Sequence, residues 1–486
     1  MSFGNKAMMS TISTEKPSKY KRLVADTFIF ALGNLGSKII LFFMVPLYTN
    51  CLSKAEYGIA DLVFTVAQFM VPFVSLVIFD AVLRFGLSKN ANKESVLKTS
   101  LLVIFIGSLI TVAITPAFRL YEPLYSWRWH ICLYVILTMM GNVELNYLKL
   151  IGKNKSYAMV SVLHTLVLAV ANIVFLANFN WGIGGYLLAT ILGSTTTVIV
   201  SIFPCKIFIS VRKGKIEKKL LKEMVKFSSP LILNNVSWWV IQSSDKLMIE
   251  SMVGEAPLGL YTAATKIPSL INVIISIFSQ AWGISSIKEF EKANDKRFYS
   301  DVFVSYSAIG FGAAVFINAI AKPFMSIYVS EEFVESWRFV PLLLVSASFS
   351  AVASYFGSLY GAMKKSTNNM CSTLCAAIVN IIINYFCIQW IGVWGAVLGT
   401  VVAYIVLALY RMLDVLRYIK FDPKWIVFCV NAAIVLTEAV MVSMDFQILA
   451  VSLISIGLFL VVNYSTILRL LKACGKMMRR KKHVKD

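Results

Sequence analysis

The sequence predicts an all-α polytopic membrane protein of about fourteen transmembrane helices, built as two pseudo-symmetric six-helix lobes with two additional helices at the C-terminal end. Three observations carry that prediction. Mean hydropathy is +0.74, with 58% apolar and only 15% charged residues, a composition that excludes secreted, disordered and ordinary cytosolic chains. The apolar residues gather into about fourteen stretches of roughly twenty residues, the length that crosses a hydrocarbon core as a helix. Lys and Arg collect in every second gap: residues 1–23, 84–98, 149–155, 206–226, 284–298, 363–368, 411–424 and 469–486 hold 38 of the 46. The positive-inside rule makes those gaps cytoplasmic and places both termini inside.

In chain order, 1–23 is a polar cytoplasmic segment, and the apolar run after Arg22 is too long for a signal-peptide core, so the first helix is expected to stay as an anchor. Spans follow near 24–48, 58–83, 99–118, 129–148, 157–178 and 184–208, giving an N-terminal lobe over 24–209. The connector at 210–226 is dense in Lys and reads as an amphipathic linker on the inner surface. Spans near 227–252, 258–283, 302–327, 338–362, 369–390 and 392–411 make a second lobe over 227–420. Two more, near 425–444 and 446–468, occupy 421–468, and 469–486 is a basic cytoplasmic tail. Trp127, Trp129, Trp181, Trp337, Trp390 and Trp394 fall near outer interfaces, as aromatic belts do.

The net charge of +21 sits mostly in inner gaps and the tail. It therefore reads as topology and contact with anionic lipid, not nucleic-acid binding. The eight cysteines scatter without a disulfide framework. Cys371 and Cys375 share a helix face, but no His or carboxylate accompanies them, so they read as small packing residues and no metal or other cofactor is expected. No phosphate-binding loop is present, so energy must come from an ion gradient or the cargo's own gradient.

The two lobes repeat. Trp181–Thr190 aligns with Ile391–Thr400 at an offset of 210, keeping Gly, Gly, Leu and Thr in register, and Glu56-Tyr57-Gly58-Ile59 corresponds to Pro257-Leu258-Gly259-Leu260. Six spans separate the copies, so both have the same orientation and the pseudo-axis runs along the membrane normal.

Polar residues within the spans mark helix faces. Thr27, Asn34 and Lys38 share one in the first span, as do Asn235, Trp239, Gln242 and Lys246 in the seventh. Thr262, Lys266, Ser269, Ser276 and Gln280 line the eighth, and Asp61, Gln68 and Ser75 the second. Two readings stand for the neutral groups: structural interhelical hydrogen bonds, or the wall of a hydrated cavity between the lobes. Lys38 lies too deep to snorkel easily and is expected to face an anion. Lys246 and Lys266 are close enough to the outer face that snorkelling is a second reading. Cations in a cavity point to an anionic cargo. Asp61, Glu144 and Asp245 are candidates to carry a coupling ion, H+ or Na+. Asp80 and Arg84, spaced i, i+4, are read as a structural pair. His164 is expected to be a hydrogen-bonded packing residue.

At Pro46-Leu47-Tyr48-Thr49-Asn50-Cys51-Leu52-Ser53-Lys54-Ala55-Glu56-Tyr57-Gly58 the chain resembles the PLYT-x-x-LS-x-x-EYG signature of bacterial polysaccharide flippases of the Wzx type. Asp80-Ala81-Val82-Leu83-Arg84-Phe85, Ser244-Asp245-Lys246 and Gly259-Leu260-Tyr261 resemble further parts of that family, in the multidrug/oligosaccharidyl-lipid/polysaccharide exporter superfamily. The resemblance covers roughly residues 20–420. It implies alternating access between two six-helix lobes and transfer of undecaprenyl-diphosphate-linked oligosaccharide from the inner to the outer leaflet of the bacterial inner membrane. The product serves O-antigen or capsule assembly, with a polysaccharide polymerase and chain-length machinery as partners. Many such flippases have twelve spans, so the last two helices depart from the pattern, whereas lipid II flippases have fourteen.

On this reading Lys38, Lys246 and Lys266, with Asn34 and Gln242, would bind the cargo, and Trp239 would stack on a sugar or pack in the core. The alternative on the same fold is an ion-coupled antiporter of small amphipathic compounds, which should rely on cavity acids. A membrane glycosyltransferase or polymerase is a second alternative, disfavoured by the short loops; the chain is not expected to be an enzyme.

Overall fold

The computed structural model describes residues 36–88, 91–292, 296–363 and 365–482, and every extended regular element among them is helical. The helices are α1 (36–51, turned at Met44), α2 (Lys54–Ser75), α3 (Ile78–Gly86), α4 (Lys93–Ile114), α5 (Arg128–Leu150), α6 (Asn154–Asn172), α7 (Gly182–Cys205) and α8 (Ile207–Lys213). They continue with α9 (Lys218–Met252), α10 (Glu255–Lys292), α11 (Lys296–Tyr328), α12 (Val340–Ala362), α13 (Ser366–Ile391), α14 (Val393–Tyr418), α15 (Trp425–Ser443) and α16 (Ile448–Lys482). Eleven described helices are long and apolar enough to span a membrane. α9 falls short of that measure because charges and amides interrupt its apolar run.

Local chemistry sets the helix ends. Ser53 caps α2 with a reciprocal box: its hydroxyl accepts from the Glu56 amide, and the Glu56 carboxylate accepts from the Ser53 amide at 2.9 Å. Asn92 caps α4 through the Ser95 amide. Pro46 and Pro341 occupy first turns, where no amide donor is needed, whereas Pro72, Pro230 and Pro268 lie inside α2, α9 and α10.

Several boundaries differ from the sequence reading: α10 and α16 run on to Lys292 and Lys482, beyond the spans expected at 258–283 and 446–468, and two further differences lie at a break and in the linker. The span expected at 58–83 breaks at Leu76 and Val77, both in the left-handed region with φ 50°. Pro72 weakens the last turns of α2, and the Ser75 hydroxyl replaces helical partners by donating to the Val71 carbonyl and accepting from the Val77 amide. The 210–226 linker resolves into α8, four non-helical residues and the opening of α9, because 218–229 contains strong helix formers and no breaker. The Gly214 carbonyl accepts from Lys98 at 3.1 Å and the Lys215 amide donates to Ser95 at 3.0 Å, which docks this connector on α4.

Packing is densest within each half. In the first, α5 lies among α2, α3, α4 and α7, with α6 on α7; in the second, α14 sits between α12 and α13, α10 on α12, and α9 on α13. The pair α15 and α16 rests on α11, with α15 also touching α12. An aromatic cluster holds this side together, with Trp282 stacked on Tyr355 at 4.7 Å and donating to its carbonyl at 3.2 Å. Contact between the halves runs through α2 on α10 and α9, and through α3 on α9.

Candidate functional site

The halves meet where the repeat aligns them. A methyl at Gly58 would stand 2.5 Å from the Glu255 carbonyl oxygen and 2.9 Å from the Gly259 amide nitrogen, and one at Gly259 would strike the Lys54 carbonyl. Only glycine at both positions lets the two backbones approach this closely. One turn further along each helix stand the next equivalent residues, Asp61 on α2 and Thr262 on α10, with the Thr262 hydroxyl donating to Asp61 at 3.4 Å.

Asp61 is the hub of the interface. Its carboxylate accepts from the Lys246 ammonium at 2.6 Å and the Lys266 ammonium at 3.2 Å, joining α2 to both α9 and α10. The Asp61 side chain is 6% exposed, that of Lys246 14% and that of Lys266 28%, so the cluster is largely withdrawn from solvent. Breaking a buried pair by removing one partner strands the other charge and costs about 3–5 kcal/mol. Two turns along α9 from Lys246, the Trp239 indole donates to the Thr65 carbonyl at 3.1 Å and packs on Phe69 at 4.4 Å. In this conformation the halves are latched near the turn joining α9 to α10.

Asp245 points elsewhere. Buried in the second half, it accepts from the Tyr261 hydroxyl, from Thr400 at 3.2 Å and from the Lys246 amide at 2.9 Å. Its neighbour Ser244 donates to the Asn380 amide oxygen at 2.9 Å, which also accepts from Asn384 at 3.2 Å. The Asn384 side-chain amide oxygen has no hydrogen-bond partner among the described residues. Around Asp245, oxygen atoms from α9, α10 and α14 are thus gathered, the donor type that suits hard cations.

Below the latch, along α9, a cavity of about 450 Å³ opens in the second half. Gln242 and Trp238 line it from α9, Asn272 from α10, Ser350, Ser354 and Ser358 from α12, Asn369 from α13, and Tyr404 and Arg411 from α14. Among the described residues the lining holds hydroxyls, amides and one guanidinium, and no carboxylate.

Of the residues nominated from sequence, the structure brings together Asp61, Lys246, Lys266 and Trp239, with Gln242 in the adjoining cavity. Asn34 lies outside the described residues, as does Thr27. Lys38 is exposed on α1 and outside the ion pairs found among the described residues. Glu144 is fully buried on α5, and neither carboxylate oxygen has a hydrogen-bond partner among the described residues. Asp80 and Arg84 sit at opposite ends of α3 and form no ion pair among the described residues, and the charge of Lys149 on α5 stands near Asp80. Gln68 donates to Tyr134 within the first half at 2.8 Å, so the α2 stripe serves two directions. His164 lies 3.0 Å from the Thr197 hydroxyl between α6 and α7.

Sequence reasoning missed Arg411, which it counted in an inner gap. The signal was present: Thr400, Tyr404 and Arg411 form one i, i+4, i+11 stripe, which extends α14 through the arginine.

Comparison with known proteins gives three findings. The family model described as polysaccharide biosynthesis protein matches residues 23–283. A protein of the Lsg locus of Haemophilus influenzae is 24% identical over 265 residues, which is 54% of this chain and 65% of the relative, so the match spans just under two thirds of that protein. Among solved structures, the lipid II flippase MurJ in an inward closed conformation has a TM-score of 0.68 at 15% identity, covering 91% of this chain and 100% of that one. An inward-facing multidrug resistance MATE family transporter of the MOP superfamily has a TM-score of 0.63 at 16% identity, covering 79% and 94%. At such identities the likeness is one of fold.

Proposed function

The chain belongs to the polysaccharide biosynthesis protein family, and from that premise we propose that it is a flippase for undecaprenyl-diphosphate-linked oligosaccharide, an O-antigen or capsule repeat unit. The cargo moves from the inner to the outer leaflet of the bacterial inner membrane by alternating access. The observation that carries this reading is the second-half cavity, lined among the described residues by hydroxyls, amides and a guanidinium without a carboxylate. Sugar hydroxyls and a diphosphate match such a wall, whereas a cationic drug requires acids there. An exporter of small cationic amphiphiles is therefore the weaker reading.

Mechanistically, the Asp61 latch closes the outer side while the cavity receives the polar headgroup and the prenyl chain stays in lipid. Lys246 and Lys266 then exchange Asp61 for the cargo's diphosphate, which loosens the latch without leaving the ammonium groups unpaired. Exposed Lys38 extends the cationic path from the first half. Asp245 is the favoured coupling residue of the three acids, because Asp61 is engaged by lysines and the Asp245 cluster offers oxygen ligands to H+ or Na+.

The test is flipping in proteoliposomes of a fluorescent prenyl-diphosphate-linked oligosaccharide, followed by its protection from an impermeant quencher. Protein-dependent, glycan-dependent flipping is expected. Absence of flipping alongside export of lipophilic cations would overturn the proposal in favour of the multidrug reading.

A further inference from the structure

Arg411 stands two turns inside the end of α14 and is only 1% exposed. Its Nε donates to the Ser372 hydroxyl at 3.0 Å, Nη1 to the Ala353 carbonyl at 3.0 Å and Nη2 to the Thr373 hydroxyl at 2.9 Å. All three acceptors are neutral. No carboxylate lies within ion-pair distance of the guanidinium among the described residues. The acid nearest in sequence, Asp414, is taken up by Tyr360 at 2.7 Å and Asn368 at 2.8 Å. A guanidinium has five N–H donors, so two remain beyond those three bonds.

The surroundings hold this cation in one pose beside open volume. Gly357 of α12 gives it room: a methyl there would stand 2.7 Å from Nη1. The Trp238 ring lies 5.5 Å from the guanidinium carbon, a cation–π distance. The cavity that Arg411 lines is about 450 Å³, and its other polar wall includes Gln242, Ser354 and Asn369, whose amide oxygen is buried and unpartnered. A buried charge without a counter-ion is unfavourable, and a planar fork with free donors matches two phosphate oxygens at once.

We infer that Arg411, flanked by Trp238 and Gln242, is an anion subsite that receives the diphosphate of the lipid-linked cargo while the outer latch is still closed. This rests on the flippase reading above. It also orders events: Lys246 and Lys266 are held by Asp61 in this conformation, whereas Arg411 is the cation among the described residues lining the cavity, so the diphosphate meets it before those two lysines.

The experiment measures binding of radiolabelled prenyl diphosphate to full-length protein in detergent, with unlabelled prenyl diphosphate, prenyl monophosphate and inorganic pyrophosphate as competitors. Wild type should bind the prenyl diphosphate, with the monophosphate weaker and pyrophosphate weaker still. Arg411→Gln should lose roughly tenfold or more in affinity, and Arg411→Lys, which keeps charge but loses the fork, should fall between. Wild-type affinity in folded Arg411→Gln would overturn the subsite while leaving the flippase reading untouched. A wild-type protein that neither binds prenyl diphosphate nor flips glycolipid would overturn both. Pyrophosphate competing as well as the prenyl compound would overturn the lipid assignment. Because Arg411 ties α14 to α12 and α13, Ser354→Leu supplies a second route: it occupies the cavity without removing any guanidinium hydrogen bond. Unchanged binding in folded Ser354→Leu would equally overturn the proposal.

Discussion

Helices α2 and α10 carry the aligned segments of the sequence repeat and touch each other, yet they carry different chemistry. Gly58 and Gly259 are the same residue at aligned positions, and each makes room for the other's backbone. Three residues on, symmetry ends: α2 presents Asp61 and α10 presents Thr262, while the lysines that answer Asp61 both come from the second half. Close approach requires identical small residues on both arms, so it preserves the repeat. Charge pairing requires unlike residues across the same axis, so it breaks the repeat. The shape of the interface is therefore duplicated and its latch is not.

The strongest way to break this comparison is to attack the shared part. Gly259→Leu places a side chain against the Lys54 backbone, where no side chain can yield. Transport should fall to background, and a cysteine at Gln242 should become reactive to an impermeant thiol reagent from the outer side. Asp61→Asn attacks the unshared part. Losing the charge that two largely buried lysines depend on should disfavour the closed latch by about 3–5 kcal/mol, read as outer-side labelling of the same cysteine with the fold retained on thermal melting. Exchanging the equivalent residues sharpens the point: Asp61→Thr/Thr262→Asp keeps one acid at the axis and should recover a measurable part of the transport lost in Asp61→Thr alone.

Smaller effects follow burial. Lys246→Gln should weaken the latch more than Lys266→Gln, since the first ammonium is closer to Asp61 and half as exposed; dose–labelling curves for the Gln242 cysteine should rank them in that order. Trp239→Phe keeps the packing on Phe69 and removes one hydrogen bond to Thr65. About 1 kcal/mol is expected, visible as a small rise in outer-side labelling with near-normal flipping.

Much of the fold was legible because membrane burial leaves a coarse signature. Apolar length, alternating basic gaps and the glycine repeat are each written locally, and the aligned Gly58 and Gly259 do meet. The α9 stripe was legible as a polar face but not as a set of partners: Lys246 and Trp239 turn to α2, Gln242 lines the cavity, and Asn235 bonds back to the Leu231 carbonyl. Asp61 was read as a coupling acid and the lysines as cargo ligands because nothing in either local segment shows that they face each other. The Asp80 and Arg84 spacing misled for a different reason. Both stand in α3, which begins after the left-handed pair Leu76 and Val77, so the i, i+4 spacing is intact, and spacing alone does not compel the side chains to meet. Arg411 was hidden by the assumption that a basic residue at the edge of an apolar run belongs to a loop.

The separation of Asp61 from its partners also governs how the protein is made. Lys246 and Lys266 lie 185 and 205 residues downstream of the acid they neutralise. At ribosomal speeds of about 5–20 residues per second, the first half waits roughly 10–40 s for them. Throughout that interval the nascent α2 carries a carboxylate whose lysines have not been synthesised. Neutralisation of Asp61 by these lysines therefore waits on the arrival of α9 and α10, which makes the latch one of the last contacts of the first half to form.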